Sequence, residues 1–329
     1  MILILTAPDD VHADAVEAVL DRRGSSHLRF DPASFPTAAA ITVELSAAGP
    51  ARLVLRAAAS TVDLSQVHSV WYRRPSRPAP CPDLDPPIAR FVASESADLC
   101  ADVWELLDAT MVPGPRASVQ RAQRKLTQLR IARSLGFEVP PTLVTTDPDE
   151  FLAFHTAHAD LVSKQIGFTH AVELPGPDVA VRYTLPVTPR DLTHVDAIRL
   201  CPIIVQARVP KRSELRVTVV DGEVFAAEIC SQESHRTAAD WRRYDDEHCV
   251  LRPHRLPDAV AGRCVALTRA LGLRFGAIDL VLTPDGRYVY LEINPNGQYL
   301  WTEDATGLAI SAAIATLLMT LDVPKRSDA

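Results

Sequence analysis

A predicted β-hairpin over residues 276–294 constrains the fold of this chain more than any other feature. Two runs rich in apolar residues flank the dipeptide Asp285-Gly286, which is the strongest short-range signal for a hairpin turn. A two-residue loop at this dipeptide places Asp279 directly opposite Glu292. The sequence therefore predicts that two carboxylates meet across neighbouring strands.

The register of this hairpin depends on the length of its loop. Pro284 also suits a three-residue loop, which would shift the pairing by one residue. With the two-residue loop, Leu280 pairs with Leu291 and Leu282 pairs with Val289, so one face of the hairpin is apolar. The shifted register mixes apolar with charged positions. The hydrophobic pattern therefore favours the two-residue loop.

The hairpin brings together three side chains that offer oxygen ligands. Glu292 and Asn294 lie two residues apart on one strand, so they point to the same face as Asp279. Carboxylates this close repel each other unless positive charge lies between them. Oxygen ligands without His or Cys are typical of a Mg²⁺ site that water and phosphates complete. An exposed polar face with a chance acidic pair stays open as the alternative.

Three cations elsewhere in the chain would suit the phosphates of a nucleotide. Lys125 lies in a predicted helix over residues 117–135, and Lys164 lies in a predicted apolar strand over residues 161–165. Arg216 lies within a strand whose apolar neighbours face away from it, so its guanidinium is suited to holding a phosphoryl group. Each lysine, taken alone, is more often an ordinary surface charge.

The order and spacing of these residues resembles the ATP-grasp superfamily. The shared positions are Lys125, Lys164, the segment 203–217, Asp279 and Glu292-Ile-Asn294. Three further segments resemble the microviridin-type graspetide synthetases, also called ATP-grasp ribosomal peptide maturases: Trp71-Tyr-Arg-Arg-Pro75, Asp240-Trp-Arg242 and Glu292-Ile-Asn-Pro-Asn-Gly-Gln-Tyr-Leu-Trp301. The metal-site motif is common to the superfamily, whereas the three segments together are more specific.

The resemblance implies a binding site for ATP, with Mg²⁺ as the metal. Lys125 and Lys164 would contact the α- and β-phosphates of ATP. Glu214 would contact the ribose, and Arg216 would stabilise the phosphoryl group during its transfer. The backbone of a hinge segment would read the adenine, and this hinge consists of Gln206, Ala207, Arg208 and Val209. Two Mg²⁺ ions would share three ligands, namely Asp279, Glu292 and Asn294.

The resemblance also implies a peptide substrate. Asp or Glu side chains of a ribosomally made precursor would be activated as acyl phosphates and joined to Thr/Ser hydroxyls or Lys amines of the same peptide. A separate site would read the leader segment, and the family suggests a homodimer. The catalytic residues near the acceptor would be Asp240 and Arg242, and further substrate contacts are expected from Arg73, Arg74 and Gln298.

The sequence departs from the family pattern at three places. Ala207 occupies a hinge position where Glu is common, which matters little because backbone atoms read adenine. Arg124 precedes Lys125 where Asn is common. After Lys164 the segment has only Gly167 and Gly176, so a glycine-rich lid over the phosphates is not evident.

Strands that alternate with helices in residues 1–115 predict an α/β layer with a mainly parallel sheet. For the whole chain, the family resemblance implies α/β and α+β structure in a three-domain ATP-grasp architecture. The expected domains are an amino-terminal α/β domain over residues 1–115, a central domain over 116–202, a carboxy-terminal domain with the metal site over 203–323, and a tail over 324–329. ATP would lie between the last two domains.

Composition narrows the class of protein. A net charge of −7 over 329 residues argues against a general nucleic-acid-binding protein. The six cysteines are scattered without metal-binding spacing, which is typical of reduced thiols. The amino terminus lacks the basic region of a signal peptide, and the apolar run over 307–321 is too short for a membrane span. We therefore expect a cytoplasmic protein without nucleic-acid or membrane partners.

Three other functions remain open at this point. A different ATP-grasp ligase, which adds amino acids to a protein or joins small molecules, would share the residues from Lys125 to Asn294. A non-catalytic ATP-binding module would be expected to lack Arg216 or a metal ligand, and the sequence retains them. A plain binding or scaffold protein is the third alternative.

Overall fold

The computed structural model describes residues 1–47, 51–57, 60–167, 172–173, 179–180, 184–230 and 250–324. The chain divides into two compact units. The first unit consists of Met1–Pro115 and Ala309–Ala329, and the second unit consists of Arg116–Leu308. The last helix therefore groups with the first unit, whereas we expected it within 203–323. The boundaries of the three expected domains stay a prediction. Within the described ranges, no helix is long and apolar enough to cross a membrane.

The strands are, in chain order, β1 Ile2–Thr6, β2 His27–Phe30, β3 Ala39–Glu44, β4 Arg52–Ala57, β5 Ser60–Asp63, β6 Ser69–Arg74, β7 Thr110–Val112, β8 Thr142–Thr145, β9 Leu161–Lys164, β10 Val172–Glu173, β11 Val179–Ala180, β12 Leu185–Pro186, β13 Ile203–Ala207, β14 Ser213–Val220, β15 Glu223–Ile229, β16 Leu251–Pro253, β17 Phe275–Leu282 and β18 Tyr288–Asn294. The helices are α1 Val11–Arg22, α2 Pro86–Leu106, α3 Arg116–Ala122, α4 Lys125–Ser134, α5 Pro148–Ala157, α6 Pro189–Thr193, α7 Asp258–Ala270, α8 Leu300–Thr306 and α9 Ile310–Leu321.

The first unit contains a parallel sheet in the order β2-β1-β6-β7, as the alternation of strands and helices predicts. β1 is apolar along its length because both of its faces are buried. On one face, Leu3 and Leu5 pack with Val103 and Trp104 of α2. A second, antiparallel sheet has the order β3-β4-β5.

The second unit contains two larger antiparallel sheets. The first has the order β12-β9-β13-β8, and its pairing places Lys164 opposite Ile204 and Gln206 opposite Val162. The second has the order β16-β15-β14-β17-β18. A separate pair of short strands, β10 and β11, is also antiparallel.

One face of the five-stranded sheet forms the main core of the second unit. Leu215 and Val217 of β14 and Leu280 of β17 pack there with residues of α4 and α7, such as Leu129 and Leu267. Side chains alternate along a strand, so the residues between these apolar positions point to the opposite face. That second face carries the polar residues described below.

The helix predicted over 117–135 is in fact two helices, α3 and α4. Arg124 between them has an extended backbone with φ of −84° and ψ of 102°. The side-chain amide of Gln128 donates to the Ala122 carbonyl at the end of α3, which gives a partner to a carbonyl freed by the break. Lys125 thereby becomes the first residue of α4. The single-helix prediction is wrong.

The loop of the hairpin β17–β18 is longer than predicted. The Thr283 N–H donates to the Arg287 carbonyl at 3.0 Å, and the Gly286 N–H donates to the Thr283 carbonyl at 3.0 Å. Three residues therefore form the loop, and Gly286 has φ of +85°, the left-handed conformation that such loops use. The predicted two-residue loop is wrong.

A β-bulge at Leu291 restores the predicted pairing at the candidate ligands. Asp279 lies opposite Glu292, as predicted, but Leu280 lies opposite Tyr290 instead of Leu291. The predicted pairing of Leu282 with Val289 is also wrong, because the pairs nearest the loop are Val281–Val289 and Leu282–Tyr288. The extra residue lets Tyr290 enter the core while Glu292 points to the opposite face.

Candidate functional site

Three charged side chains form a row across the polar face of the five-stranded sheet. Arg216 of β14 lies opposite Asp279 of β17, which lies opposite Glu292 of β18. The Arg216 Nη1 donates to Asp279 Oδ1 at 2.8 Å, and its Nη2 donates to the Gln298 carbonyl at 2.9 Å. The guanidinium is 5% exposed. Arg216 is therefore held in one orientation, next to a candidate metal ligand.

Lys125 is the partner of the other carboxylate. Its Nζ lies 2.6 Å from Glu292 Oε2, and both side chains are largely buried. Asp279 and Glu292 thus each face their own cation, which offsets the repulsion between two neighbouring carboxylates. The structure brings together four predicted residues from α4, β14, β17 and β18.

Asn294 completes a set of oxygen donors that suits Mg²⁺. It lies two residues beyond Glu292 on β18, and its Oδ1 is buried without a hydrogen-bond partner among the described residues. The part of the chain that the structure describes contains no group of three His, Cys, Asp or Glu residues that could hold a metal. Two carboxylates and an amide oxygen leave room for water and phosphate oxygens, as Mg²⁺ prefers in nucleotide sites.

Gly297 lets the segment after β18 approach this row closely. A Cβ atom at this position would lie 2.3 Å from Ala277 Cβ and 2.8 Å from Arg216 Nη2. No other residue fits without displacement of the strand or the guanidinium. The close approach brings the Gln298 carbonyl to Arg216, whereas the Gln298 side chain is exposed.

Several hydrogen-bonding groups of the predicted hinge already have partners in the structure. Gln206 is 2% exposed, and its Nε2 donates to Thr142 Oγ1 at 2.8 Å. The Ala207 N–H donates to the Pro141 carbonyl and the Arg208 N–H donates to the Asp160 carbonyl, both at 2.9 Å. These two N–H groups of the predicted hinge therefore already have partners within the chain.

Glu214 lies near the start of the inner strand β14, and Lys164 is the last residue of the inner strand β9. Glu214 is buried, and its carboxylate forms an ion pair with Lys211. Lys164 is half-buried at the end of β9. Lys211 was not among the predicted residues, although it lies only two residues after the predicted hinge and its side chain is largely buried.

Four predicted residues remain, two of them outside the described part of the chain and two in the first unit. Asp240 and Arg242 lie outside the described residues. Arg73 and Arg74 belong to the first unit, where Arg73 is 1% exposed with its Nε 3.5 Å from Asp10 Oδ2, and Arg74 is exposed. Burial alone would raise the pKa of Asp10, but a hydrogen bond from Thr6 and the charge of Arg73 hold that pKa below its ordinary value.

Two buried polar residues behind the site were also missed. The Gln128 side chain contacts the backbone of Ile293, and the Tyr290 hydroxyl donates to Gln128 Oε1 at 3.1 Å. Burial raises the pKa of Tyr290 well above its ordinary value, and the charges of Glu292 and Asp279 add to this effect. Gln128 lies three residues after Lys125 on α4, but a glutamine on a helix gives no sequence signal of its burial.

Comparison with known proteins identifies the family of this chain. A family profile described as the MvdD pre-ATP grasp domain matches residues 1–119. Macrocyclase MdnC from Microcystis aeruginosa MRC, solved with precursor peptide MdnA, is 30% identical over 97% of this chain and 99% of its own, with a TM-score of 0.85. Macrocyclase MdnB from the same organism is 32% identical over 96% and 98% of the two chains, with a TM-score of 0.78.

A third solved structure is similar over the same extent. It is a RiPP-associated ATP-grasp ligase from Chryseobacterium gregarium in complex with ADP and with a leader and core peptide, 29% identical over 99% of this chain and 98% of its own, with a TM-score of 0.90. A search of curated proteins found no match. Identity of at least 30% across almost the full length of two macrocyclases shows that this chain belongs to the microviridin-type graspetide synthetases, a family of ATP-grasp ligases.

Proposed function

We propose that this chain uses ATP to activate Asp or Glu side chains of a ribosomally made precursor peptide and closes them into ω-ester or ω-amide crosslinks. The observation that carries this proposal is the row Arg216–Asp279–Glu292, with Lys125 against its outer carboxylate. Paired carboxylates with guanidinium and ammonium groups suit a polyphosphate and a divalent cation. The similar structures that contain a precursor peptide, or ADP with leader and core peptides, support the same substrates here.

The nucleotide would be held by residues of the second unit. Lys125 and Lys164 would bind the α- and β-phosphates, Glu214 the ribose, and the backbone of residues 206–209 the adenine. Asp279, Glu292 and Asn294 would hold Mg²⁺, and we propose two ions. When bound, Mg²⁺ neutralises the charge of the phosphate oxygens. The unpartnered Asn294 Oδ1 supports this assignment, because a buried amide oxygen normally has a partner.

The chemistry has two displacement steps. A peptide carboxylate oxygen attacks the γ-phosphorus of ATP, the bond from that phosphorus to the β,γ-bridging oxygen breaks, and ADP leaves. A hydroxyl or amine of the peptide then attacks the acyl phosphate carbon and loses its proton, and inorganic phosphate leaves. Arg216 is suited to hold the phosphoryl group because its guanidinium is already fixed by Asp279 and the Gln298 carbonyl.

The peptide side of the site rests on the family resemblance. We propose that Asp240 and Arg242 lie near the acceptor, and that Arg73, Arg74 and Gln298 contribute to substrate binding. Of the two arginines, Arg74 is exposed and Arg73 is buried against Asp10, so Arg74 is the better suited to meet a peptide directly. The leader would bind at a separate site.

We further propose that the protein is a cytoplasmic homodimer. The free thiols of Cys81, Cys100, Cys201 and Cys264 support a reducing compartment. The dimer is proposed from the family alone.

Substitution of the metal ligands tests the proposed function. Neighbouring reading frames would be searched for a short peptide rich in Thr and Asp/Glu near its carboxyl end. A peptide that meets this description would be incubated with the full chain, ATP and Mg²⁺. Mass spectrometry should show loss of one water per crosslink with the wild type and none with Asp279→Ala or Glu292→Gln. Glu223→Gln, which changes an exposed carboxylate at the far end of β15, should react like the wild type. Full dehydration by both ligand variants would refute the metal assignment.

A further inference from the structure

The strand that carries two of the candidate ligands is an edge strand. β18 pairs with β17 on one side only, since the sheet has the order β16-β15-β14-β17-β18. Backbone groups on the free side of an edge strand need other partners when they are buried. Near the loop, the Glu138 carbonyl serves this purpose by accepting from the Tyr290 N–H at 2.9 Å. Beyond the bulge at Leu291, a side chain provides the hydrogen-bond partners for the backbone.

That side chain is Gln128 of α4, which contacts both backbone groups of Ile293. Its Nε2 donates to the Ile293 carbonyl at 2.9 Å, and its Oε1 accepts from the Ile293 N–H at 3.2 Å. An amide that bonds to the N–H and the carbonyl of one residue takes the place of a neighbouring strand. Ile293 is the residue between Glu292 and Asn294, so this contact fixes the backbone of both candidate ligands.

The remaining bonding capacity of Gln128 is also used. Its Nε2 donates to the Ala122 carbonyl, and its Oε1 accepts from the Tyr290 hydroxyl at 3.1 Å. A glutamine amide has two donors and two acceptor sites, and all four are occupied here. Gln128 is 2% exposed. Its orientation is therefore unique, since rotation of the amide would set donor against donor and acceptor against acceptor.

Gln128 also links the ligands to the cation that faces them. Lys125 precedes it by three residues on α4, and neighbours at this spacing lie on one side of a helix. The contact between α4 and Ile293 thus sets the position of the Lys125 ammonium, which lies 2.6 Å from Glu292. One buried amide holds α3, α4 and β18 at the place where the bulge has interrupted the ladder.

We propose that Gln128 is a positioning residue, which holds Glu292 and Asn294 in register with each other and with Lys125 so that they can bind Mg²⁺ together with ATP. This inference rests on the proposed function. It predicts that a Gln128 variant that keeps the fold needs a higher Mg²⁺ concentration to half-saturate ADP formation. Residues that orient metal ligands typically contribute about ten- to a hundredfold to metal affinity.

The test uses Gln128→Met, which has a similar length but offers no amide. The Mg²⁺ concentration that half-saturates ADP formation, and that half-saturates the stabilisation by ATP in a thermal-shift assay, should rise about tenfold. The control is Val260→Ala in α7, a buried residue of the same core that should lower the melting temperature without a change in this concentration. Half-saturation within twofold of the wild type, or the same increase in Val260→Ala, would overturn the proposal.

A second variant keeps the proposal testable if Gln128→Met does not fold. Tyr290→Phe retains the ring that packs on Phe137 at 5.5 Å and removes only one hydrogen bond to Gln128 Oε1. Its half-saturating Mg²⁺ concentration should rise about threefold, as expected for one neutral hydrogen bond, and an unchanged value would count against the proposal. If the wild-type protein is not stabilised by ATP with Mg²⁺, the proposed function itself fails, which is a different result from either variant outcome.

Discussion

Gly297→Ala should disable the site with only a moderate loss of stability. The new Cβ would lie 2.3 Å from Ala277 Cβ and 2.8 Å from Arg216 Nη2. Carbon atoms in contact lie about 3.5–4.0 Å apart, so the segment 295–298 or the strand β17 must move by about 1 Å or more. Overpacking of this kind costs about 1–3 kcal/mol of the free energy of unfolding.

The displacement should affect catalysis more than stability. The Gln298 carbonyl, which follows Gly297, holds the guanidinium of Arg216. A shift of about 1 Å at a group that positions reactants lowers the rate about a hundredfold. We therefore expect kcat for ADP formation to fall by about two orders of magnitude, with a smaller change in KM for ATP. Steady-state kinetics and chemical denaturation measure the two effects separately.

Two further variants control this experiment. Gly262→Ala lies in α7, where a Cβ has nothing within 4 Å, so it should leave activity unchanged and should stabilise the helix by about 0.5–1 kcal/mol. Ala277→Gly combined with Gly297→Ala removes the worst overlap and should recover part of the stability, but little activity, because the contact with Arg216 remains. Wild-type kcat in Gly297→Ala would refute the argument.

Two other predictions follow from ion pairs of the second unit. Lys125→Met removes the ammonium group that lies 2.6 Å from Glu292, so it should lower the free energy of unfolding by about 1.5–3 kcal/mol without Mg²⁺ and by less with saturating Mg²⁺ and ATP. An equal loss in both conditions, measured by denaturation, would contradict the shared site. Burial alone would raise the pKa of Glu228, but hydrogen bonds from Ser213 and His254 hold it below its ordinary value of 4.5. Its stabilising contribution is therefore complete above pH 4.5 and is lost as the pH falls through the lowered pKa. The difference in melting temperature between wild type and Glu228→Gln should shrink on acidification, and a difference that grows would show the opposite sign.

The positions of charged residues within apolar strands were predictable from the sequence. Arg216 and Asp279 each stand between residues that alternate into the core, so the face they share follows from the period of two. The same reasoning identified Glu292 and Asn294. The parallel sheet that contains β1 was equally predictable, because a continuous apolar run is typical of a strand that is buried on both faces.

The supporting residues were not predictable in this way. Glutamine on a helix is usually exposed, so Gln128 carries no signal of its burial. Two of its partners, Ile293 and Tyr290, lie more than 160 residues away along the chain. Gly297 follows Pro-Asn in a segment with ordinary turn composition, and only the packing shows that its missing side chain makes room for Arg216. Both residues act through contacts between elements, which periodicity does not encode.

In the hairpin β17–β18, the predicted pairing of Asp279 with Glu292 is correct, although the predicted loop and the predicted register near the loop are wrong. The apolar pattern was fitted with one continuous register, which required Leu291 to face the core. The core instead takes Tyr290, a larger ring whose hydroxyl meets Gln128. Side chains two residues apart share a face, so Tyr290 and Glu292 can point to opposite faces only if one residue between them is extra. The bulge at Leu291 therefore allows the chain to bury the ring of Tyr290 and to present the candidate ligand Glu292 on the opposite face, within three residues of one strand. Since β18 is an edge strand, the backbone of Ile293 just beyond this bulge has no further strand beside it, and the amide of Gln128 bonds to it instead.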